Sequence, residues 1–226
     1  MATTTGKKAR RNNDTGYNNP FKELKPLNYA QAEYLEAIKE NEIIFGIGSA
    51  GTGKTYIAAW YAAQQLYTKK IDKIILTRPT VETGRGLGFL PGTLEEKYAP
   101  YLQPFENIFI KALGKGFYEY ALKTKTIDPQ PLSFMRGATF DDCIFLLDEA
   151  QNCSKEEMKM ILSRIGKNCK MIISGDEYQS DIGHDSGLED AVYKLSSIPG
   201  VETVRFLDSD IVRSRLCKAV IMAYRN

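Results

Sequence analysis

Histidine and cysteine are scarce in this chain, with one histidine and four cysteines among 226 residues. The four cysteines, Cys143, Cys153, Cys169 and Cys217, form no C-x-x-C pair, which argues against both a zinc motif and a disulfide framework. His184 has no second histidine near it in sequence, so we expect a solvated or structural role for it. A reducing intracellular compartment, the cytoplasm, is therefore the expected location.

Long apolar runs are also missing. No stretch of about eighteen apolar residues could cross a membrane, and residues 1–8 lack the apolar core of a secretory signal. A chain of this length buries roughly 70–75% of its unfolded surface and needs no metal or disulfide to hold its core. The sequence thus predicts one domain with short appendages and no membrane association.

The net charge of +2 is unevenly distributed along the chain. Residues 1–25 hold six basic and two acidic side chains, a balance of +4, so the remaining 201 residues carry −2. We predict a basic, disordered tail over 1–25 and a folded domain over 26–226. The charge of the domain does not argue for nucleic-acid binding. The tail suits either a nucleic-acid contact or a solubilising extension.

Residues 48–55, GSAGTGKT, match the phosphate-binding (Walker A) pattern G-x-x-x-x-G-K-[ST]. An apolar run before them predicts a buried strand, and good helix formers follow them. The loop's N–H groups and the helix N-terminus can together hold an anion. We expect Lys54 to reach the β- and γ-phosphates and Thr55 to bind Mg²⁺. The predicted nucleotide-binding residues are Gly48, Ser49, Ala50, Gly51, Thr52, Gly53, Lys54 and Thr55.

Polar side chains follow two further predicted strands. One apolar run ends in Asp148 and Glu149, and another ends in Asp176 and Gln179. Ligands of parallel sheets bind at the carboxyl ends of the strands, so these side chains are expected to face the nucleotide. We expect Asp148 to hold Mg²⁺ opposite Thr55, Glu149 to polarise the attacking water and Gln179 to sense the γ-phosphate.

Strands and helices alternate through the rest of the pattern, which predicts an α/β fold with a mostly parallel sheet covered by helices on both faces. The predicted segments are a helix from Leu27 capped by Asn28, a strand over 72–79, a helical region over 93–123 broken near Pro100, Pro104 and 114–116, a short strand over 131–136, a helix capped by Ser154 with Glu157, a helix over 187–197, a strand over 201–207 and a helix over 209–224.

Several motifs, taken in order, resemble the PhoH family of phosphate-starvation-inducible ATPases. They are GSAGTGKT, LTRPTVETGRGLGFLPG, SFMRGATF, IFLLDEAQN, MKMILSRIG, ISGDEYQSD and DIVRSRLCKAVIMAY. The match runs from about Leu27 to Tyr224. It implies a RecA-like P-loop NTPase core, akin to one half of a superfamily 1 helicase motor, in the core-only form of short bacterial or phage-borne members.

The resemblance also implies roles that the pattern alone does not. Gln31, which by pattern is a solvated helix residue, matches the glutamine that contacts adenine in such motors. Val81–Gly92 matches a region that contacts single-stranded nucleic acid. Family members are thought to form hexameric rings in which an arginine completes the neighbouring site. Arg213 fits that position most closely, and Arg136 and Arg78 are weaker candidates.

The chain departs from the family pattern at three positions. Ala138 stands where the family has an arginine, Arg85 where it has a glutamate, and Tyr178 where it has a threonine. These departures leave the nucleotide chemistry intact and concern the nucleic-acid contacts.

Several functional hypotheses remain open at this point. The first is a Mg²⁺-dependent ATPase that acts as a ring on RNA or single-stranded DNA, and the second is an ATPase without nucleic-acid coupling. A third is a thymidine-kinase-like phosphotransferase, which shares the DEAQ run but carries zinc-binding C-x-x-C pairs that this chain lacks. A fourth is a nucleotide-bound scaffold. The Phe89–Pro91 tip suits either a nucleic-acid wedge or a subunit interface.

Overall fold

Helices and strands alternate through residues 21–79 and 94–225, the part of the chain that this computed structural model describes. Residues 1–20 of the predicted tail and the predicted nucleic-acid loop Val81–Gly92 lie outside these residues. The helices are α1 (Tyr29–Glu40), α2 (Lys54–Tyr67), α3 (Leu94–Leu113), α4 (Lys115–Lys123), α5 (Lys155–Leu162), α6 (Leu188–Leu195) and α7 (Arg215–Arg225). The strands are β1 (Ile43–Gly48), β2 (Lys73–Thr77), β3 (Ile127–Pro129), β4 (Cys143–Leu147), β5 (Lys170–Gly175) and β6 (Val201–Phe206).

The strands form one six-stranded sheet in the order β3-β2-β4-β5-β1-β6, and all of its pairings are parallel. Successive side chains point to opposite faces. Ile44 packs in a core with residues of α1 to α4, whereas Phe45 and Ile47 pack with α5 and α6. The predicted fold class, a parallel α/β sheet with helices on both faces, is confirmed.

The strand order brings three loops together at one edge of the sheet. β5 lies between β4 and β1, with Leu147 opposite Ile173 and Ile47 opposite Gly175. The chain therefore leaves the carboxyl ends of these three strands side by side. The phosphate-binding loop follows β1, and the predicted acidic residues follow β4 and β5.

The helical region after the undescribed loop differs from its prediction. α3 continues past Pro100 and Pro104, where a break was expected, and ends at Leu113. A proline inside a helix costs about 3 kcal/mol. The fully buried rings of Phe105 and Phe109 anchor this helix in the core and offset that cost. The break predicted at the glycines is present, because α4 starts only after Gly114.

The prediction of a strand over residues 131–136 is wrong. Leu132–Phe134 is a turn of 3₁₀ helix, and the strand lies earlier, at Ile127–Pro129. This three-residue strand is at the edge of the sheet and pairs only with β2. Proline has no N–H to donate to a neighbouring strand. Pro129 is tolerated because one side of an edge strand forms no ladder hydrogen bonds.

The last helix begins later than predicted, at Arg215 instead of Ser209. Asp208–Asp210 forms a 3₁₀ turn, and the backbone N–H of Val212 donates to the Gly51 carbonyl at 3.0 Å. A contact with the phosphate-binding loop thus overrides the helical pattern of this segment.

The end of the predicted tail contacts the domain. The ring of Phe21 packs edge-on against Trp60 with centroids 5.7 Å apart. Trp60 Nε1 donates to the Lys22 carbonyl at 3.0 Å. Within the described residues, no helix has both the length and the apolar character needed to span a bilayer.

Gly46 on β1 offers a test of this packing, because a Cβ there would lie 2.7 Å from two ring carbons and the hydroxyl oxygen of the buried Tyr34. We expect Gly46→Ala to lower the free energy of unfolding by about 1–3 kcal/mol through overpacking, measured by urea denaturation. Gly116→Ala is the control, since a Cβ there meets nothing within 4 Å and α4 should gain from alanine. Equal midpoints for Gly46→Ala and the wild type would contradict this packing.

Candidate active site

The carboxyl ends of β1, β4 and β5 surround a cavity of about 540 Å³. A cavity of about 690 Å³ lies at the opposite edge of the sheet, beside Glu42 and Gly200, but none of the predicted site residues lines it. Residues lining the first cavity are Ala50, Gly51, Gly53, Lys54, Thr55, Tyr56, Arg78, Pro104, Ile108, Asp148, Glu149, Gly175, Asp176, Gln179, Val212 and Arg213.

The phosphate-binding loop has the backbone geometry that its glycines permit. Gly51 and Gly53 have φ values of +87° and +95°, in the left-handed region that favours glycine. Ser49 and Thr52 are buried beneath the loop, where Thr52 Oγ1 donates to the Ser49 carbonyl at 3.0 Å. α2 starts at Lys54, so the positive end of its dipole faces the cavity. The loop and helix therefore have the geometry expected of an anion site, and anion binding there stays a prediction.

The Lys54 side chain folds back over this loop. Its ammonium group donates to the Gly48 carbonyl at 2.5 Å and to the Ser49 carbonyl at 2.9 Å. Only 8% of the residue is exposed. Burial lowers the pKa of Lys54, and the nearby carboxylates, Asp176 foremost, oppose that shift. The site thus concentrates a buried positive charge where phosphates would bind.

Thr55 and Asp148 meet across the cavity as predicted. Thr55 Oγ1 donates to Asp148 Oδ1 at 2.9 Å. Burial, and to a lesser extent the neighbouring Glu149, raise the pKa of Asp148 to about 6. A hydroxyl and a carboxylate are hard oxygen ligands of the kind that Mg²⁺ prefers. These two side chains fit a Mg²⁺ ion bound between them.

Glu149 is held in a defined orientation by two partners. It adopts a left-handed conformation with φ of +54° directly after Asp148. Its Oε1 accepts from Arg78 Nη2 at 2.8 Å, and its Oε2 accepts from Gln151 Nε2 at 2.6 Å. Each carboxylate oxygen can accept a further hydrogen bond. The carboxylate therefore faces the cavity with capacity left for a water molecule.

Gln151 orients Glu149, a contact that the residue pattern did not predict. It is 1% exposed and uses both ends of its amide. Its Nε2 donates to Glu149, while its Oε1 accepts from the backbone N–H of Asp176 at 3.0 Å. Gln151 thereby links the turn after β4 to the turn after β5. The only signal in the sequence was its place two residues after Glu149 in the DEAQ run.

Asp176 and Gln179 both line the cavity, as predicted from their place after β5. Gln179 ends a 3₁₀ turn whose N-cap is Asp176, and Asp176 Oδ1 accepts from the Tyr178 N–H. The sensing role of Gln179 stays a prediction.

Gln31 is buried, contrary to the solvated position that its pattern alone suggested. It is 4% exposed and lies against the back of the phosphate-binding loop. Its Nε2 donates to the Thr52 carbonyl at 2.7 Å, and its Oε1 accepts from the Leu27 N–H at 2.8 Å. Asn28 caps α1 as predicted by accepting from the Gln31 N–H. The adenine contact that the resemblance implies stays a prediction.

The three candidate arginines occupy different positions. Arg213 lies beside Gly51 and lines the cavity, and Arg78 lines it while paired with Glu149. Arg136 is exposed and does not line this cavity.

Comparison with known proteins agrees with this geometry. The sequence profile described as PhoH-like protein matches residues 23–225. The chain belongs to the PhoH family. It is 43% identical over 201 residues to Protein PhoH of Escherichia coli (strain K12), covering 87% of this chain and 57% of that protein. It is 45% identical over 205 residues to a PhoH-like protein of Bacillus subtilis (strain 168), covering 90% of this chain and 64% of that protein.

This PhoH chain therefore spans about three fifths of the length of those two curated relatives. Among solved structures, a crystal structure of Pif1 helicase from Candida albicans aligns with a TM-score of 0.41 and 16% identity. The alignment covers 81% of this chain and 40% of the helicase.

The raised pKa of Asp148 predicts a pH-dependent stability for this PhoH domain. The carboxyl binds its proton more tightly when folded, so stability falls as pH rises from the ordinary aspartate pKa of about 4 to about 6, and the full cost of the buried charge is present above that range. We expect Asp148→Asn to raise the free energy of unfolding by roughly 1–3 kcal/mol at pH 7.5 and to have little effect at pH 4. Urea denaturation at both pH values measures this.

Asp72→Asn is the matched control for this prediction, because Asp72 is exposed and far from the cavity. An Asp148→Asn variant that is no more stable than the wild type at pH 7.5 would show that the buried charge costs nothing.

Proposed function

We propose that this PhoH family member hydrolyses ATP in the presence of Mg²⁺, at the cavity between β1, β4 and β5. The observation that carries the proposal is the arrangement of Lys54, the Thr55–Asp148 pair and the oriented Glu149 around one 540 Å³ space. Each element of phosphoryl transfer to water has a side chain of suitable chemistry within it. The family membership supports a P-loop ATPase of this kind.

Lys54 and the loop backbone bind the phosphates in this mechanism. The ammonium exchanges its contacts with the Gly48 and Ser49 carbonyls for phosphate oxygens, which share negative charge and are therefore better acceptors. Thr55 and Asp148 would hold Mg²⁺, which supplies charge neutralisation at the phosphate oxygens. Burial of this site strengthens each of these charge interactions.

Glu149 acts on the attacking water. Arg78 and Gln151 each occupy one side of its carboxylate, so the group is oriented before the water arrives. The carboxylate accepts a hydrogen bond from the water and directs the oxygen lone pair toward the γ-phosphorus. We assign Gln179, which lines the same cavity, a contact with this water or with the γ-phosphate.

We extend the proposal to a ring-shaped homo-oligomer, a hexamer, coupled to RNA or single-stranded DNA. The family resemblance supports this extension. Leu216 and Val220, four positions apart on one face of α7, are 74% and 48% exposed and are compatible with a subunit contact. Exposed apolar patches are common at interaction surfaces. The alternative is hydrolysis that is not coupled to nucleic acid, and the experiment must distinguish it from coupled hydrolysis.

Glu149→Gln tests the hydrolytic role. We expect phosphate release to fall about 10²- to 10⁴-fold while ATP binding persists, because the amide cannot accept a proton from water. Glu156→Gln on the exposed surface of α5 is the matched control and should hydrolyse at the wild-type rate. Lys54→Ala should lose ATP binding. Equal rates for Glu149→Gln and the wild type would remove Glu149 from the mechanism.

Steady-state ATPase rates with single-stranded RNA, single-stranded DNA and duplex DNA test the coupling. We expect a several-fold stimulation by a single-stranded substrate that weakens with added salt, because phosphate contacts release counterions. Light scattering on the same samples reports whether the stimulation accompanies assembly. A rate unchanged by all three nucleic acids would favour the uncoupled ATPase.

A further inference from the structure

We propose that Arg213 contacts the phosphate chain of the nucleotide bound by its own chain, and so completes that site in cis. This inference rests on the proposed function only in that the cavity takes a nucleoside triphosphate. It replaces the neighbouring-subunit role that the family resemblance implied for this arginine.

The first observation is that the segment carrying Arg213 is tied to the phosphate-binding loop. We call residues 207–213 the strap. The Val212 N–H donates to the Gly51 carbonyl at 3.0 Å. Ser49 Oγ donates to the Asp208 carboxylate. Two residues of the strap thus bind two residues of the loop, although about 160 positions separate them in the sequence.

A second set of contacts holds the strap from the side of α1. Asn28 Nδ2 donates to the Asp210 carbonyl at 3.1 Å. The same Asn28 caps α1, whose Gln31 donates to the Thr52 carbonyl of the loop. The loop, the strap and the start of α1 therefore form a closed set of hydrogen bonds within one chain. The strap needs no neighbouring subunit to be positioned.

The Arg213 side chain lies directly on the loop. A Cβ added to Gly51 would be 3.1 Å from Arg213 Cδ and 3.2 Å from its Cγ. The glycine therefore leaves room for the arginine methylenes against the loop backbone. Because the stem rests on this chain's own loop, reaching a neighbour's site would require the side chain to leave that contact.

The Arg213 side chain is exposed at the cavity, so its charge is available to a bound ligand. Arg213 lines the same space as Lys54, and its positive charge contributes to lowering the pKa of Lys54. The ion pairs formed among the described residues do not include Arg213. Two cations facing one space repel each other until an anion enters it. A guanidinium offers paired N–H donors that match phosphate oxygens.

The test measures the affinity for a fluorescent, non-hydrolysable ATP analogue at nanomolar chain concentration, where a contact made in cis is retained on dilution. We expect Arg213→Ala to weaken binding about tenfold to a hundredfold, the loss typical of a hydrogen bond between charged groups. Arg213→Lys should fall between the two, because lysine keeps the charge but not the paired donors. Arg215→Ala, an exposed arginine at the start of α7, should bind like the wild type.

A mixing experiment separates the cis role from the neighbouring-subunit role. Glu149→Gln and Arg213→Ala chains are combined at micromolar concentration with ATP and magnesium. If Arg213 instead completed the site of a neighbouring subunit, the two variants would complement each other, because one chain keeps Glu149 and the other keeps Arg213. We expect ATPase activity no greater than the sum of the separate variants.

Two results would overturn the proposal. One is wild-type affinity in Arg213→Ala, with thermal unfolding showing that the variant is folded. The other is restored activity in the mixture. Because the affinity is read with a non-hydrolysable analogue, a wild-type chain that binds but does not hydrolyse contradicts the proposed hydrolysis and leaves the Arg213 comparison valid.

Discussion

A buried cation, the Lys54 ammonium, is the constraint on which the rest of this site depends. It lies among backbone carbonyls of the loop at Gly48 and Ser49, with 8% of the residue exposed. Burying a charge is costly unless it is paired and hydrogen-bonded. The loop must therefore keep its curled geometry, and Gln31 and the strap hold that geometry from outside.

The acidic side of the cavity has the same difficulty with the opposite sign, because carboxylates there are also partly removed from water. Asp148 is buried next to Glu149, and its pKa rises chiefly because burial disfavours the charged form, with a smaller contribution from the Glu149 carboxylate. Hydrogen bonds from Thr55 and Gln151 hold these groups in place. The cavity therefore has a cation on one side and carboxylates on the other. A polyanion could bind beside Lys54 while its metal cation binds beside the carboxylates. Perturbed pKa values of this kind, which reduce the stability of the unliganded domain, are typical of functional sites.

The local patterns that succeeded were those in which one interaction dominates. The run at β4 could be predicted as a strand because all of its side chains are buried in a parallel sheet. The capping box at Ser154 was predictable because both of its hydrogen bonds are local. Predictions failed at α3 and at the start of α7, where packing and a distant loop outweighed proline and helix propensity.

The sequence by itself determined which chemical groups the cavity contains, since the loop glycines, Lys54, Thr55 and the strand-end acids are specified by type and spacing. It also determined the α/β class through its alternating apolar runs. Only the tertiary structure decided which groups meet. Gln151 reaches Glu149 and Asp176, and Arg213 reaches Gly51, because the strand order brings distant turns to one edge. No local pattern encodes these contacts, since they depend on the strand order of the whole sheet.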